Sequence, residues 1–143
     1  MTTQKWLLPI DGSDTALRAV DWAIAHAAEL REPPLILLIN VQSTLPNDIG
    51  RFINADTIRE FHLETGMAEL AKARDQLAAA GHAPELHVMM GAAAATITEF
   101  ADNHACTQIV IGTRGHSGLT GTLLGSVAMK VVHLANVPVL LVR

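Results

Sequence analysis

Short apolar runs alternate along this chain with longer stretches that carry a helical repeat. Trp6-Leu7-Leu8-Pro9-Ile10 is apolar throughout and of a length that suits a buried strand. Asp11-Gly12-Ser13-Asp14 follows with turn and capping chemistry, and Ser13 is placed as the N-cap of a helix. In that helix Leu17, Val20, Ile24 and Ala27 recur at i, i+3, i+7 and i+10, a single apolar stripe. Pro33-Pro34 leads into a second strand, Leu35 to Val41, read as apolar on both faces, as a central parallel strand covered by helices on both sides should be. Gln42 to Ala55 is the least patterned stretch, and its Pro46, Asn47, Asp48 and Gly50 mark a loop. Asp56 to Ala80 reads as a long helix with Leu63, Gly66, Leu70, Ala73, Leu77 and Ala80 on one face and Gly81 just past its end. Leu86 to Met90 predicts a third strand ending at Gly91, and Ala93 to Ala105 a helix with Ile97, Phe100 and Ala101 inward. Gln108 to Thr113 is the fourth strand, Val127 to Ala135 the fourth helix, and Val137 to Val142 the last strand.

Strands that alternate with helices build β-α-β units, and these stack into a parallel sheet with helices on both faces. Such α/β sheets hold ligands at the carboxyl ends of their strands, where the strand order reverses. Asp11 and Gly112 each end a strand, and they meet only if the first and fourth strands are neighbours.

Composition narrows the reading. A length of 143 residues suits one domain, residues 1–143, with one core. Half the residues are apolar and aromatics are only 3%, so the core must be built from Leu, Ile, Val and Ala. A net charge of −4 argues against a nucleic-acid partner, which needs a basic face to displace counterions. The lone Cys106 leaves no internal disulfide and fits a reducing compartment. The polar start, Met1 to Lys5, lacks the regions of a signal peptide, and no apolar run reaches the ~18 residues of a membrane span. The expectation is a cytoplasmic protein away from membranes. The seven histidines show no metal-ligand spacing; His26, His62 and His133 read as surface or boundary residues, and Cys106 as inert core.

The candidate chemistry sits near the carboxyl end. Gly112, Gly115, Gly125 and Ser126 are spaced G-x2-G-x9-G-S, with the apolar run Ile109-Val110-Ile111 before them and a helical pattern after. Strand, glycine-rich loop and helix start form a layout that cradles phosphate, because glycine lets backbone approach an anion and the helix start offers N–H groups and a positive dipole end. The loop is not G-x4-G-K-[ST], and it is not the dinucleotide fingerprint G-x-G-x-x-G. Gly115 and Gly125 are the leading phosphate-side positions. Ser126 can cap the helix or ligate phosphate, two roles that compete for one oxygen. Asp11, beside Pro9 at the end of the first strand, can accept from ribose hydroxyls or adenine, or it can shape the Gly12 bend as an Asx-turn. Val41 can offer backbone N–H and C=O to an adenine edge. Arg114 and His116 flank Gly115 beside the phosphates, Val127 follows Ser126, and Gly118 and Gly121 give the intervening loop its freedom.

On these residues the chain resembles the universal stress protein family, and the match runs from end to end. Leu8-Pro9-Ile10-Asp11-Gly12-Ser13 looks like that family's opening strand and turn, and Gly91 with its following Ala run and Ile97 resembles the third strand-to-helix junction. Gly112 to Ser126 fits the glycine motif of the ATP-binding subgroup without a gap, and Val137-Pro138-Val139-Leu140-Leu141-Val142 looks like the closing strand. Ala92 and Ala93 stand where an acidic residue and a proline are often seen, and Trp6 is bulky for its strand. The resemblance implies a Rossmann-like α/β fold, a five-stranded parallel sheet of order 3-2-1-4-5 with helices on both faces. That order puts Asp11 and Gly112 at one crevice. It further implies ATP, with Mg²⁺ bridging its phosphates, bound there, and a homodimer. In that order Val137 to Val142 is an edge strand, nearly all apolar, that can pair with its own copy.

Two function classes follow. One is an ATP-binding regulatory or stress-response protein. The other is an enzyme, a slow ATPase or a phosphoryl- or adenylyl-transferring domain. Phosphoryl transfer wants a positioned base, a metal-binding acid and a cation at the γ-phosphate. Asp11 and His116 are the only players on offer, so no catalytic residue is assigned and little turnover is expected. In a third reading the loop is merely structural.

Overall fold

Five strands and four helices alternate among the described residues of the computed structural model, which are 3–44, 54–113 and 124–143. In chain order they are β1 (Lys5–Pro9), α1 (Asp14–Ala27), β2 (Leu35–Gln42), α2 (Ala55–Ala79), β3 (Glu85–Met90), α3 (Ala93–Asn103), β4 (Gln108–Gly112), α4 (Ser126–Leu134) and β5 (Val139–Val142). The strands form one parallel sheet of order β3-β2-β1-β4-β5. Leu7 pairs with Leu37 of β2 on one side and Ile109 of β4 on the other. The strand order thus reverses between β1 and β4, the one arrangement that makes Asp11 and Gly112 neighbours. The loop read from Gln42 to Ala55 lies mostly outside the described residues.

Alternation along the strands divides the apolar residues between two cores. Leu8, Ile36, Leu38 and Val110 point to the face covered by α1 and α2, where they meet Val20, Leu70 and Leu77. Leu7, Leu37, Ile39, Ile109 and Ile111 point to the face covered by α3 and α4, where they meet Ile97, Phe100 and Val131. Burying each of these large aliphatic side chains contributes roughly 1.5–3 kcal/mol. On α1 the buried centre is Ala16, Ala19, Val20, Ala23 and Ala27, with Leu17 and Ile24 at its flanks. Small residues let that helix lie close to the sheet.

Capping sets the helix ends. Ser13 caps α1, its Oγ accepting from the Ala16 N–H at 3.3 Å. Gly81, at φ +89°, closes α2: its N–H donates to the Ala78 carbonyl and that of His82 to the Leu77 carbonyl. The same pair of bonds closes α3, from Ala105 to Asp102 and from Cys106 to Ala101. There the left-handed position is held by an alanine, Ala105, at φ +52°. This closure ends α3 at Asn103, two residues before the sequence pattern suggests. Pro138 has no N–H to give a ladder, and β5 begins at Val139 rather than Val137.

The inner face of α2 is the expected one at Gly66, Leu70, Ala73 and Leu77 and differs at its two ends. His62 is 4% exposed, whereas Leu63 is 53% exposed. The buried stripe runs His62, Gly66, Leu70, Ala73 and Leu77, and Ala80 lies exposed beyond the helix. Asn40, passed over when β2 is read as apolar on both faces, is 1% exposed and takes one polar partner from α2, Glu69. Gly66 is the point of closest approach: a Cβ there would lie 2.5 and 2.8 Å from the Val88 methyls and 3.0 Å from Asn40 Oδ1. Among the described residues no helix is long and apolar enough to cross a membrane.

Two stability outcomes follow. Gly66→Ala gains helix propensity of roughly 1 kcal/mol but overpacks the α2–β3 contact by about 1–3 kcal/mol. Its urea midpoint should fall, and a midpoint above wild type would refute the close-packing account. Ala105→Gly relieves a left-handed alanine worth about 1 kcal/mol, partly offset by the freer unfolded chain. Its melting temperature should rise by about 2–4 °C in a scan against wild type.

Candidate functional site

A cleft of about 300 Å³ opens at the carboxyl ends of β1 and β4. It is built by convergence. Pro9, Ile10 and Asp11 come from the end of β1, Ile39 and Val41 from β2, and Ile111, Gly112 and Thr113 from the end of β4. Ala93 and Ile97 of α3 form one wall, and Gly125, Ser126, Val127 and Ala128 bring the start of α4 to another. Of the residues singled out from the sequence, Pro9, Asp11, Val41, Gly112, Gly125, Ser126 and Val127 therefore line one cavity. Arg114, Gly115 and His116 lie outside the described residues, as do Gly118 and Gly121.

The β1–α1 turn carries Asp11 to the rim. Asp11 Oδ1 accepts from the Ser13 N–H at 2.9 Å and from Ser13 Oγ at 2.5 Å. The Asx-turn is thus present, and it brings the carboxylate to the cleft. Gly12 makes the bend at φ +86°, a conformation that side chains rarely adopt.

At the end of β4 the two glycines act differently. A Cβ on Gly112 would sit 2.8 Å from the Thr15 carbonyl oxygen. Close packing of α1 therefore accounts for this glycine with no ligand. Gly125 is the N-cap of α4, in extended conformation and with no side-chain cap, and its N–H donates to the Thr113 carbonyl. Ser126 is the first residue inside the helix and is exposed, so of the two roles open to it the N-cap falls to Gly125 instead. The bond from Gly125 to Thr113 ties the loop's end back to β4, and the helix starts at Ser126, one residue before the sequence pattern has it. The first N–H groups of α4 have no intrahelical acceptor, and they belong to residues that line the cleft.

Backbone geometry aims Val41 at the same space. Ile39 accepts the Ile10 N–H, and the β1–β2 pairing stops at Pro9–Ile39. Alternate residues of a strand direct their N–H and C=O to the same side. Val41 therefore directs its own pair toward the side of β1, past the last pair of the ladder.

The floor is apolar, formed by Ile39, Ile97 and Ile111. Among the described lining residues Asp11 is the one ionisable side chain, and the positive end of α4 is the one electropositive feature. Ile97 and Ile111 read from sequence as ordinary core, because nothing in a periodic pattern separates a cavity wall from a packed one. Thr113 carried no signal beyond its place after Gly112. Cys106 lies before β4, at the other end of that strand, and is buried. Burial raises its thiol pKa, the Lys5 cation lowers it by less, and Glu85 adds a small upward push. It is inert core, as its sequence position suggests.

The chain matches the model of the universal stress protein family over residues 2–143. It is 34% identical to the universal stress protein YxiE of Bacillus subtilis, over 97% of this chain and 98% of that protein. Among solved structures, the hypothetical protein MJ0577 superposes with a TM-score of 0.83 at 23% identity, covering 99% and 96% of the two chains. A universal stress protein in complex with cAMP superposes at 0.73 with 27% identity, covering 100% and 99%. One from Archaeoglobus fulgidus in complex with dAMP superposes at 0.65 with 23% identity, covering 99% and 98%. With its family model matched from end to end and the five-stranded order in common, this chain belongs to the universal stress protein family.

Proposed function

We propose that this chain binds an adenine nucleotide, ATP with Mg²⁺, in the β1–β4 cleft, and that the bound state serves a regulatory, stress-response role in the cytoplasm. One observation carries the reading. Separate elements bring a carboxylate, an unpaired stretch of strand backbone and an uncapped helix start to one cavity with an apolar floor. The cAMP and dAMP complexes of related proteins support the ligand class. The apolar floor takes the base, the Val41 backbone reads its edge, and Asp11 accepts from the nucleoside. Pro9 and Gly112 shape the two strand ends. The amides of Ser126 and Val127, with Gly125 before them, hold phosphate. By sequence, Arg114, Gly115 and His116 complete that cradle. Asp11 is the one lining carboxylate among the described residues. Phosphate oxygens and water therefore supply most of the Mg²⁺ ligands, as is usual for this ion. The site is read as one of binding rather than turnover.

The same proposal includes a homodimer through the carboxyl-terminal strand, Val137 to Val142. β5 is a sheet edge, Leu141 on it is 39% exposed, and Met129, Val132 and Leu134 stand exposed on the neighbouring α4. An apolar edge of this kind is satisfied by a second copy across a two-fold axis. The opposite edge, β3, begins with Glu85 and His87 in a hydrogen-bonded contact at 3.1 Å and ends with the exposed Met89 and Met90.

Titration calorimetry tests the cleft. Asp11→Ala should weaken ATP and adenosine alike, by about tenfold, because a hydrogen bond to a charged acceptor is worth ~1.5–3 kcal/mol. Loss for ATP alone would move Asp11 to the phosphate or metal side, and a folded wild type that binds neither ligand would overturn the reading. Sedimentation tests the dimer. Wild type should run as a dimer at micromolar concentration, and Leu141→Lys, which places like charges near each other across the axis, mainly as a folded monomer. A monomeric wild type would remove the interface.

A further inference from the structure

The turn that carries Asp11 is gripped from the far face of the sheet. In a continuing parallel ladder the Ile10 carbonyl would take the N–H of Val41, but the β1–β2 pairing has ended at Pro9–Ile39. The side chain of Asn40 replaces that bond, its Nδ2 donating to the Ile10 carbonyl at 2.9 Å. The second Nδ2 hydrogen goes to Glu69 Oε2 at 2.7 Å, and Asn40 Oδ1 accepts from Gln42 Nε2 at 2.6 Å. A buried amide with both hydrogens and an oxygen engaged has one orientation open to it. Glu69 makes a second contact with the same turn, since a Cβ on Gly12 would lie 3.1 Å from Glu69 Cγ. Asn40 thus holds the residue before Asp11, and Glu69 packs on the residue after it. Neither lines the cleft.

We propose that Asn40 and Glu69 are positioning residues for the nucleoside end of the cleft: they fix the Ile10–Gly12 backbone and so aim the Asp11 carboxylate. This rests on the reading of the cleft as an adenine-nucleotide site. For Glu69, which packs on the turn and is remote from Val41 in sequence, that effect passes through Asp11, and a double-mutant cycle isolates it.

The probe is adenosine, titrated calorimetrically into the full chain carrying Glu69→Ala, Asp11→Ala or both. Glu69 is half-exposed on α2 and alanine suits a helix, so this variant keeps the fold. Glu69→Ala should weaken adenosine about three- to tenfold in the wild-type background and less than about twofold once Asp11 is alanine. Asn40→Ala should also weaken adenosine, and because Asn40 adjoins Val41 as well, the Glu69 cycle decides alone. Losses that multiply independently in the double variant, or an unchanged affinity in a folded Glu69→Ala protein, would overturn the positioning role and leave the nucleotide site standing. A wild type that binds no adenosine overturns both.

Discussion

The cleft exists because β1 pairs with β4. The chain first builds outward on one side of β1, through α1, β2, α2 and β3, and then α3 carries it back across the sheet to β4 on the other side. Right-handed crossovers place the outbound helices on one face and the returning ones on the other. α1 therefore leaves the end of β1 toward one face while the chain after β4 is committed to the opposite face. The two departures diverge at adjacent strand ends, and the gap between them receives Asp11 on one lip and the start of α4 on the other.

The two faces have taken different work. The α3–α4 face is apolar core up to the level of Ile39 and Ile111, and there it opens into the cleft. The α1–α2 face carries a buried polar chain at the same level. Asn40 stands at its centre, Glu69 and Gln42 beside it, and His62 Nδ1 lies 3.4 Å from Gln42 Oε1. Among the described residues His62 Nε2 is buried with no hydrogen-bond partner, and the chain of polar contacts ends there. Gly66 lets α2 come near enough for these groups to meet. A glycine inside a helix costs about 1 kcal/mol against alanine, and here it is offset by contacts that no larger residue would allow.

The G-x2-G-x9-G-S spacing joins glycines that serve unlike ends. Gly112 is small because the Thr15 carbonyl approaches it, whatever the cleft holds. Gly125 begins a helix without spending a side chain on the cap, which keeps the first turn of α4 open toward the cleft. Two positions of the pattern, Gly112 and Gly125, thus line one cleft while answering to different forces.

By itself the sequence determined what is local. Alternating apolar runs and helical repeats specify the order and type of every element, and the capping chemistry of Ser13 and Gly81 marks helix ends where the structure has them. The glycine spacing, with Asp11 and Val41, picked out residues that line the cleft. Tertiary structure alone decided what depends on a partner distant in the chain. The resemblance implied the strand order, but periodicity could not, because β1 is buried on both faces beside any neighbour. At its start α2 buries His62 rather than Leu63, which the apolar pattern along the helix does not give. Ala105 holds a left-handed position usually given to glycine, so no residue type announced the end of α3. Asn40 sits in an apolar run and looks like an interruption there; its role appears only when β1 ends beside it and leaves a carbonyl to be satisfied.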